Sequence, residues 1–314
     1  MIATKPKRQF PPSPYLAHNL FFRDPNHPAY RPRRKPMTIA VGFSCADGVL
    51  LAADTKIATN IKTTESKLIH YTSNDHHCSL SFAVSSEDMN FPRAAALACW
   101  EYMREIDFTS PAMTMDAVRN AAAFSLAEFH REHIQDHPDR TPGALFMRML
   151  VGIRLHRRTA LFESHETVLS PIDDCECIGT GAVLGKYLTR QYLAANGAPE
   201  TLSDAALLAS CVVETAIEID EYCGGNLEML LIRNDGVVNS SSESVEYPGY
   251  GLLKRLQLED WRLLRKLAQK DITDSQIIAA IDAHAEGVKD ANGDHTEKLY
   301  KLRTSRPFDP TDEW

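Results

Sequence analysis

The 314-residue sequence contains no run of 18 apolar residues, which excludes a membrane-spanning helix. Its N-terminus carries charges and prolines but no apolar core segment, so no secretory signal is expected. The seven cysteines are odd in number and lack regular spacing, which points away from a disulfide framework and towards a reducing, cytoplasmic setting. Cys175 and Cys177 are too isolated to read as a metal site and fit a buried strand instead. Basic residues are scarce outside the first 36 positions. Those positions hold eight Lys/Arg against Asp24 alone, whereas the rest holds 26 basic and 41 acidic residues. Binding to nucleic acid rests on neutralising phosphates, so the body of the chain is a poor candidate for it. The basic leader reads as a solvated stretch.

What is present suffices for a substantial core. An apolar fraction of 44% is ordinary for a globular chain, and this length predicts one or two domains. Residues 1–37 contain eight prolines and little periodicity, and read as an extended leader or propeptide. Strands are expected at 38–55, where two runs form a hairpin, then at Lys67–Tyr71 and Ser79–Ser85. Asn90 is expected to cap a helix with Phe91, Ala95, Ala98 and Tyr102 on its apolar face. A second helix carries Val118, Ala122, Ser125, Leu126 and Phe129, and ends at Asp136–Pro138. A strand pair follows at Gly143–Leu155 and Thr159–Ser164, with a basic turn at Arg154–Arg158 expected to be exposed. Asp174–Gly179 reads as a strand. Of the next two helices, one carries Val183, Leu184, Tyr187 and Leu188. The other starts at Ser203 and carries Leu208, Val212, Thr215 and Ile219. Asn226–Arg233 and Val237–Asn239 form a closing hairpin. Beyond a serine-rich linker at 240–244, helices are expected at Leu252–Gln269 and Asp274–Ala285, the latter capped at Asp274 or Ser275. Segregated runs of strands and helices indicate an α+β fold, with the main domain at 38–239 and a helical extension at 240–314.

The richest stretch is Thr38–Asp54. Asp47-Gly48 between two apolar runs is a strong hairpin signal. A tight hairpin returns Asp54 to the start of the first strand, beside Thr38. A threonine activated by its own N-terminal amine is one solution to nucleophilic catalysis. Any antiparallel hairpin also carries this pattern, so spacing alone leaves a purely structural role open. His130, His133 and His137 share a helical face, but no carboxylate or cysteine completes a metal pattern. No metal or organic cofactor is implied.

Four segments in register carry a resemblance. They are Thr38–Asp54, Glu65–Tyr71 around Lys67, Cys177–Gly181 around Thr180, and Asp220–Gly225 around Cys223. Together they resemble a proteasome β-type subunit of the N-terminal nucleophile hydrolase superfamily, over roughly two-thirds of the chain. The resemblance implies a four-layer αββα sandwich and a threonine peptidase. Thr38 would be the nucleophile, Lys67 would lower the pKa of its hydroxyl and amine, and Asp54 would fix Lys67. Thr180 and Cys223 would orient the amine and a water, with Asp220 behind them. Backbone N–H groups at Ser85 and Ser86 would hold the oxyanion, a contribution of about 3 kcal/mol per donor. Ile57 and Glu65 fall where specificity-pocket residues would, and an acidic Glu65 would favour a basic substrate side chain. The implied partners are a peptide or unfolded-protein substrate, further copies or homologous subunits in a ring, and a separate ATPase, since no nucleotide-binding loop is present.

The chain departs from that pattern at several places, among them a shortened segment between Asp54 and Lys67. Thr180 and Cys223 stand where the family has serine, and a thiol is only a weak donor and acceptor. Ser85-Ser86 stands where the family has two glycines. Met37 stands where self-processing members have glycine. Two expectations follow from Met37. Either translation starts there and methionine removal exposes Thr38, or the leader stays in place and the chain is a non-catalytic structural relative. A smaller amidase or peptide-transfer enzyme with the same nucleophile is a third reading. Outside the resemblance, Thr180 also reads as a helix N-cap, Cys223 as a core thiol and Lys67 as a solvated lysine.

Overall fold

Short apolar, β-rich runs build two antiparallel sheets. The computed structural model describes residues 38–58, 62–86, 88–110, 112–135, 147–165, 167–236, 238–241, 263 and 273–304. The first sheet is formed by β1 (Ile39–Cys45), β2 (Gly48–Asp54), β10 (Cys175–Gly179), β11 (Leu227–Arg233) and β12 (Val238–Ser241). Its order is β10-β1-β2-β11-β12. The second is formed by β5 (Leu68–Thr72), β6 (Cys78–Ser86), β7 (Met147–Leu155), β8 (Arg158–His165) and β9 (Val168–Ile172), paired in chain order. A short pair, β3 (Lys56–Ala58) and β4 (Lys62–Thr64), lies between β2 and β5 in the chain.

Five α-helices lie among the described residues: α1 (Asn90–Met103), α2 (Met115–His130), α3 (Ala182–Asn196), α4 (Leu202–Ile219) and α5 (Asp274–Thr304). The chain is thus α+β, with two antiparallel five-stranded sheets. Helix α2 continues into one π-helical turn, Arg131–Gln135.

Both faces of the β1–β2 hairpin are buried, which is why both strands read as nearly continuous apolar runs. Ile39, Val41, Phe43, Leu50 and Ala52 pack with Leu208, Val212 and Ala216 of α4. Ala40, Val49, Leu51 and Ala53 pack with Ala83, Leu150 and Leu161 of the second sheet. Helix α1 lies against β5, β6 and β7, and α2 against β7 and β9. Burying one such Leu or Phe side chain stabilises the fold by about 1.5–3 kcal/mol.

Several sequence expectations need correction. Strand β9 and the β3–β4 pair carry no clear alternation and were not foreseen. Asn90 is the first residue of α1 rather than its cap; Asp88 Oδ1 accepts the Asn90 N–H at 3.0 Å. Helix α2 buries all five residues expected on its face. Helix α4 begins at Leu202, because Thr201 Oγ1 accepts the Asp204 N–H and caps it. Val183 is 82% exposed, Tyr187 58% and Ile219 67%, so these positions lie outside the buried stripes of α3 and α4. Arg154 is buried, not exposed: its guanidinium donates to the carbonyls of His76 (2.8 Å) and His156 (3.0 Å). Ser240 and Ser241 belong to β12 rather than to a linker. Helix α5 runs to Thr304, and its start is capped by Thr273 and Gln276, whose Oε1 accepts the Thr273 N–H at 2.9 Å. The leader, the expected helix end at 136–138, His137 and all of the helix at 252–269 except residue 263 lie outside the described residues.

Candidate active site

The hairpin places Asp54 at the start of β1. Ala40 pairs with Ala53 in the ladder, so the next residue of β2 reaches the β1 entrance. There Asp54 Oδ1 accepts the Ile39 N–H at 3.0 Å and the Lys67 ammonium at 2.7 Å. Its Oδ2 accepts the Gly224 N–H at 3.0 Å. One carboxylate thus joins β1, the segment entering β5, and the turn after α4. Both members of the ion pair are buried, Asp54 at 0% and Lys67 at 1% exposure. Burial lowers the Lys67 pKa from its ordinary value and raises that of Asp54, while their mutual attraction opposes both shifts.

Thr38 immediately precedes β1 and is buried. Its carbonyl accepts from the Gly181 N–H at 3.2 Å and from the Thr180 hydroxyl at 3.4 Å; its own N–H faces Thr180 Oγ1 at 3.4 Å. The close approach depends on Gly179, which has φ +96°. A Cβ there would stand 2.2 Å from the Thr38 carbonyl oxygen. Thr180 is therefore directed at Thr38 rather than at α3, whose N-cap is Gly181 with no side-chain cap bond.

The turn after α4 closes the site. Asp220 Oδ1 accepts the Tyr222 N–H at 2.9 Å, and Asp220 Oδ2 takes the Cys223 thiol at 3.6 Å. Burial, then Asp54 and Asp220, push the thiol pKa up, so Cys223 is a protonated, weakly donating group. A Cβ on Gly181 would lie 3.1 Å from Cys223 Sγ, which brings the Thr180 and Cys223 turns together. Gly225, at φ +77°, admits Thr55: a Cβ would meet Thr55 Oγ1 at 2.3 Å. That hydroxyl accepts the Asn226 N–H at 2.8 Å.

The structure therefore assembles Thr38, Asp54, Lys67, Thr180, Asp220 and Cys223 through a continuous set of contacts. Ser85 and Ser86 end β6, and the preceding Val84 N–H donates to the Lys67 carbonyl at 3.1 Å. The Ser86 hydroxyl accepts the Asp88 N–H at 3.3 Å. Ile57 lies in β3 and is partly exposed. The Glu65 carboxylate forms an ion pair with Arg93 of α1, whose guanidinium also donates to the Ser66 carbonyl. Glu65 is thus partly neutralised, which weakens the expectation that it selects a basic side chain. Sequence reasoning missed Arg93 and also Lys56, whose ammonium donates to the Glu221 and Cys223 carbonyls. Neither carries a local pattern that would have revealed it.

Among the described residues, no group of three or more His, Cys, Asp or Glu is arranged to hold a metal ion. No helix of the described residues is long and apolar enough to cross a membrane.

No family model matches the chain, and neither does any curated protein. Solved structures do. Anbu from Hyphomicrobium sp. strain MC1 is 14% identical with a TM-score of 0.56, over 75% of this chain and 100% of that one. Anbu from Yersinia bercovieri, described as an ancestral beta-subunit, is 14% identical with a TM-score of 0.53, over 76% of this chain and 99% of that one. A helical assembly of the Anbu complex from Pseudomonas aeruginosa gives 14% identity and a TM-score of 0.54, over 75% and 99%. Identities this low carry the fold alone. They correct the resemblance to a proteasome β-type subunit: the structures named here are Anbu chains, and what this chain shares with them is a proteasome-like fold.

Proposed function

We propose that the chain is an N-terminal nucleophile hydrolase that cleaves peptide bonds with Thr38 once the residues before it are removed. The observation that supports this most is the Asp54 carboxylate, which holds Lys67 beside the Thr38–Ile39 peptide. Residues 38–239 form the catalytic domain, as a four-layer αββα sandwich.

Cutting the 37–38 peptide bond turns the Thr38 N–H from an amide into an amine. A free α-amine has an ordinary pKa of about 7.7–8, suited to accepting a proton near neutral pH. The hydroxyl oxygen of Thr38 attacks the substrate carbonyl carbon, and its proton passes to the amine. The positive field of Lys67 favours the developing alkoxide. Backbone N–H groups at Ser85 and Ser86 receive the oxyanion. Collapse breaks the C–N bond, the amine's proton goes to the leaving nitrogen, and an ester on Thr38 remains. Water then hydrolyses the ester. Thr180 and Cys223 orient the amine and that water, with Asp220 holding the Cys223 turn. Ile57 and Glu65 line the substrate side. Unfolded protein or peptide in the cytoplasm is the substrate, and a separate ATPase supplies unfolding. Copies of the chain associate, in keeping with the helical assembly formed by one Anbu complex.

A second reading is favoured by one observation. With its N–H still an amide, Thr38 is buried and bonded to the Thr180 turn. If the 37–38 bond stays intact, the chain is a non-catalytic structural subunit. The test uses a chain produced with Thr38 as its first residue, incubated with fluorogenic peptides and a peptide epoxyketone, then weighed intact. Hydrolysis and one adduct on Thr38 are expected, and both should vanish in Thr38→Ala. Hydrolysis that survives Thr38→Ala overturns the proposal, as does the absence of both hydrolysis and adduct in the unsubstituted chain. An adduct-forming monomer would instead favour a smaller amidase.

A further inference from the structure

We propose that Lys56 is a positioning residue for this site, locking the Asp220–Gly225 turn so that the Gly224 N–H stays on Asp54. For its kinetic consequence this rests on Thr38 being the nucleophile; its structural part does not.

A lysine near a surface ordinarily extends its ammonium into water. Lys56 instead spends three hydrogen bonds on one turn. Its backbone N–H donates to the Gly224 carbonyl at 2.9 Å. Its ammonium donates to the Glu221 carbonyl at 2.6 Å and to the Cys223 carbonyl at 3.1 Å. Those carbonyls lie in the turn just past Asp220, the C-cap of α4, and a cation near a helix C-terminus is favoured. The stem lies across Gly224, since a Cβ there would meet Lys56 Cδ at 2.7 Å.

Besides Cys223 itself, the clamped turn reaches the site through Gly224. Gly224 N–H donates to Asp54 Oδ2, while Asp54 Oδ1 carries the Ile39 N–H and Lys67. With Oδ2 fixed, the carboxylate plane is fixed, and so is the point at which Lys67 is held. Releasing the turn frees Oδ2, lets the carboxylate rotate, and moves the Lys67 ammonium. The Lys56 charge also adds, as a lesser cause after burial, to the lowered pKa of Lys67.

The experiment compares Lys56→Met and Lys56→Arg with the unsubstituted chain, each beginning at Thr38. Two quantities are read: amide hydrogen exchange at Gly224, and kcat and KM for a fluorogenic peptide. Lys56→Met should speed Gly224 exchange by about tenfold or more and lower kcat by roughly 10–100-fold, with KM changed by no more than about threefold. Lys56→Arg, which keeps a cationic donor, should restore both to within about threefold of the parent. Unchanged Gly224 exchange in Lys56→Met overturns the proposal, and so does faster exchange with an unaltered kcat. If the parent chain shows no hydrolysis, the nucleophile reading fails, and Gly224 exchange alone decides the role of Lys56. Should Lys56→Met not fold, Lys56→Gln gives the same two readings with the charge removed and a shorter donor retained.

Discussion

Strand β6 has a buried cation near each end, and the two are satisfied in opposite ways. At the Ser85 end stands Lys67, reached through the Val84 N–H and held by the Asp54 carboxylate. At the Cys78 end stands Arg154, paired in register with Ser79 and bonded to the carbonyls of His76 and His156. Neutral carbonyls hold a guanidinium across two turns without asking anything of neighbouring charges. A carboxylate does more: it lowers the cost of burying the ammonium and gathers N–H donors from two other segments. Only the Lys67 end joins four separate pieces of chain around Thr38, the proposed nucleophile. Burial of charge alone, which both ends share, does not distinguish them; the convergence of segments on one carboxylate does.

The largest effect is expected where that carboxylate loses its cation. Lys67→Met leaves Asp54 buried with two N–H donors and no positive partner, a loss of about 3–5 kcal/mol. Urea unfolding should show it as a lower midpoint with little change in slope. Combining Lys67→Met with Asp54→Asn should recover most of the stability, because the uncompensated charge is gone, yet recover no hydrolysis. A double variant as unstable as the single one would mean that the pair stabilises through geometry rather than charge balance.

At the other end, Arg154→Met removes two hydrogen bonds from a cationic donor and strands two turn carbonyls, a loss of about 3 kcal/mol. The same variant, placed in the chain that begins at Thr38, should form the Thr38 adduct at the parent rate. A slowed adduct would show that the two ends of β6 are coupled and that the contrast drawn between them is false.

How far the sequence revealed this arrangement follows from where each partner lies. Asp47-Gly48 sits between the strands it joins, so the meeting of Asp54 with the start of β1 was legible locally. The buried face of α2 was legible for the same reason, since its 3.6-residue period is confined to one helix. Lys67, Thr180 and Cys223 were found only through spacing shared with other proteins, and the contacts among them cross long stretches of chain. Arg154 was misread as exposed because Arg154, His156, Arg157 and Arg158 look like a solvated turn; the His76 carbonyl that receives it comes from another hairpin. Val183 and Tyr187 were misread for a related reason. A helical period names a stripe of apolar residues without saying how wide the covered part is.

The smallest expected effect lies between the two cations. His70 is bonded through Nδ1 to the Ser81 hydroxyl and through Nε2 to the Thr72 hydroxyl, both at 2.8 Å. Hydroxyls can donate to one nitrogen and accept from the other, so the neutral ring is fully served. Burial, then the nearby Arg154 charge, lowers its pKa from 6.5 to about 4. Between those values the unfolded chain binds a proton that the folded chain refuses. Stability contributed by neutral His70 is therefore present above pH 6.5 and is lost as pH falls towards 4. Urea midpoints measured across that range should fall with acid in the parent and fall less in His70→Gln. In Arg154→Met the same acid loss should shrink, because one cause of the low pKa is gone. If His70→Gln leaves the acid slope unaltered, the loss belongs to other groups, and the Arg154 end of β6 contributes no pH dependence through this ring.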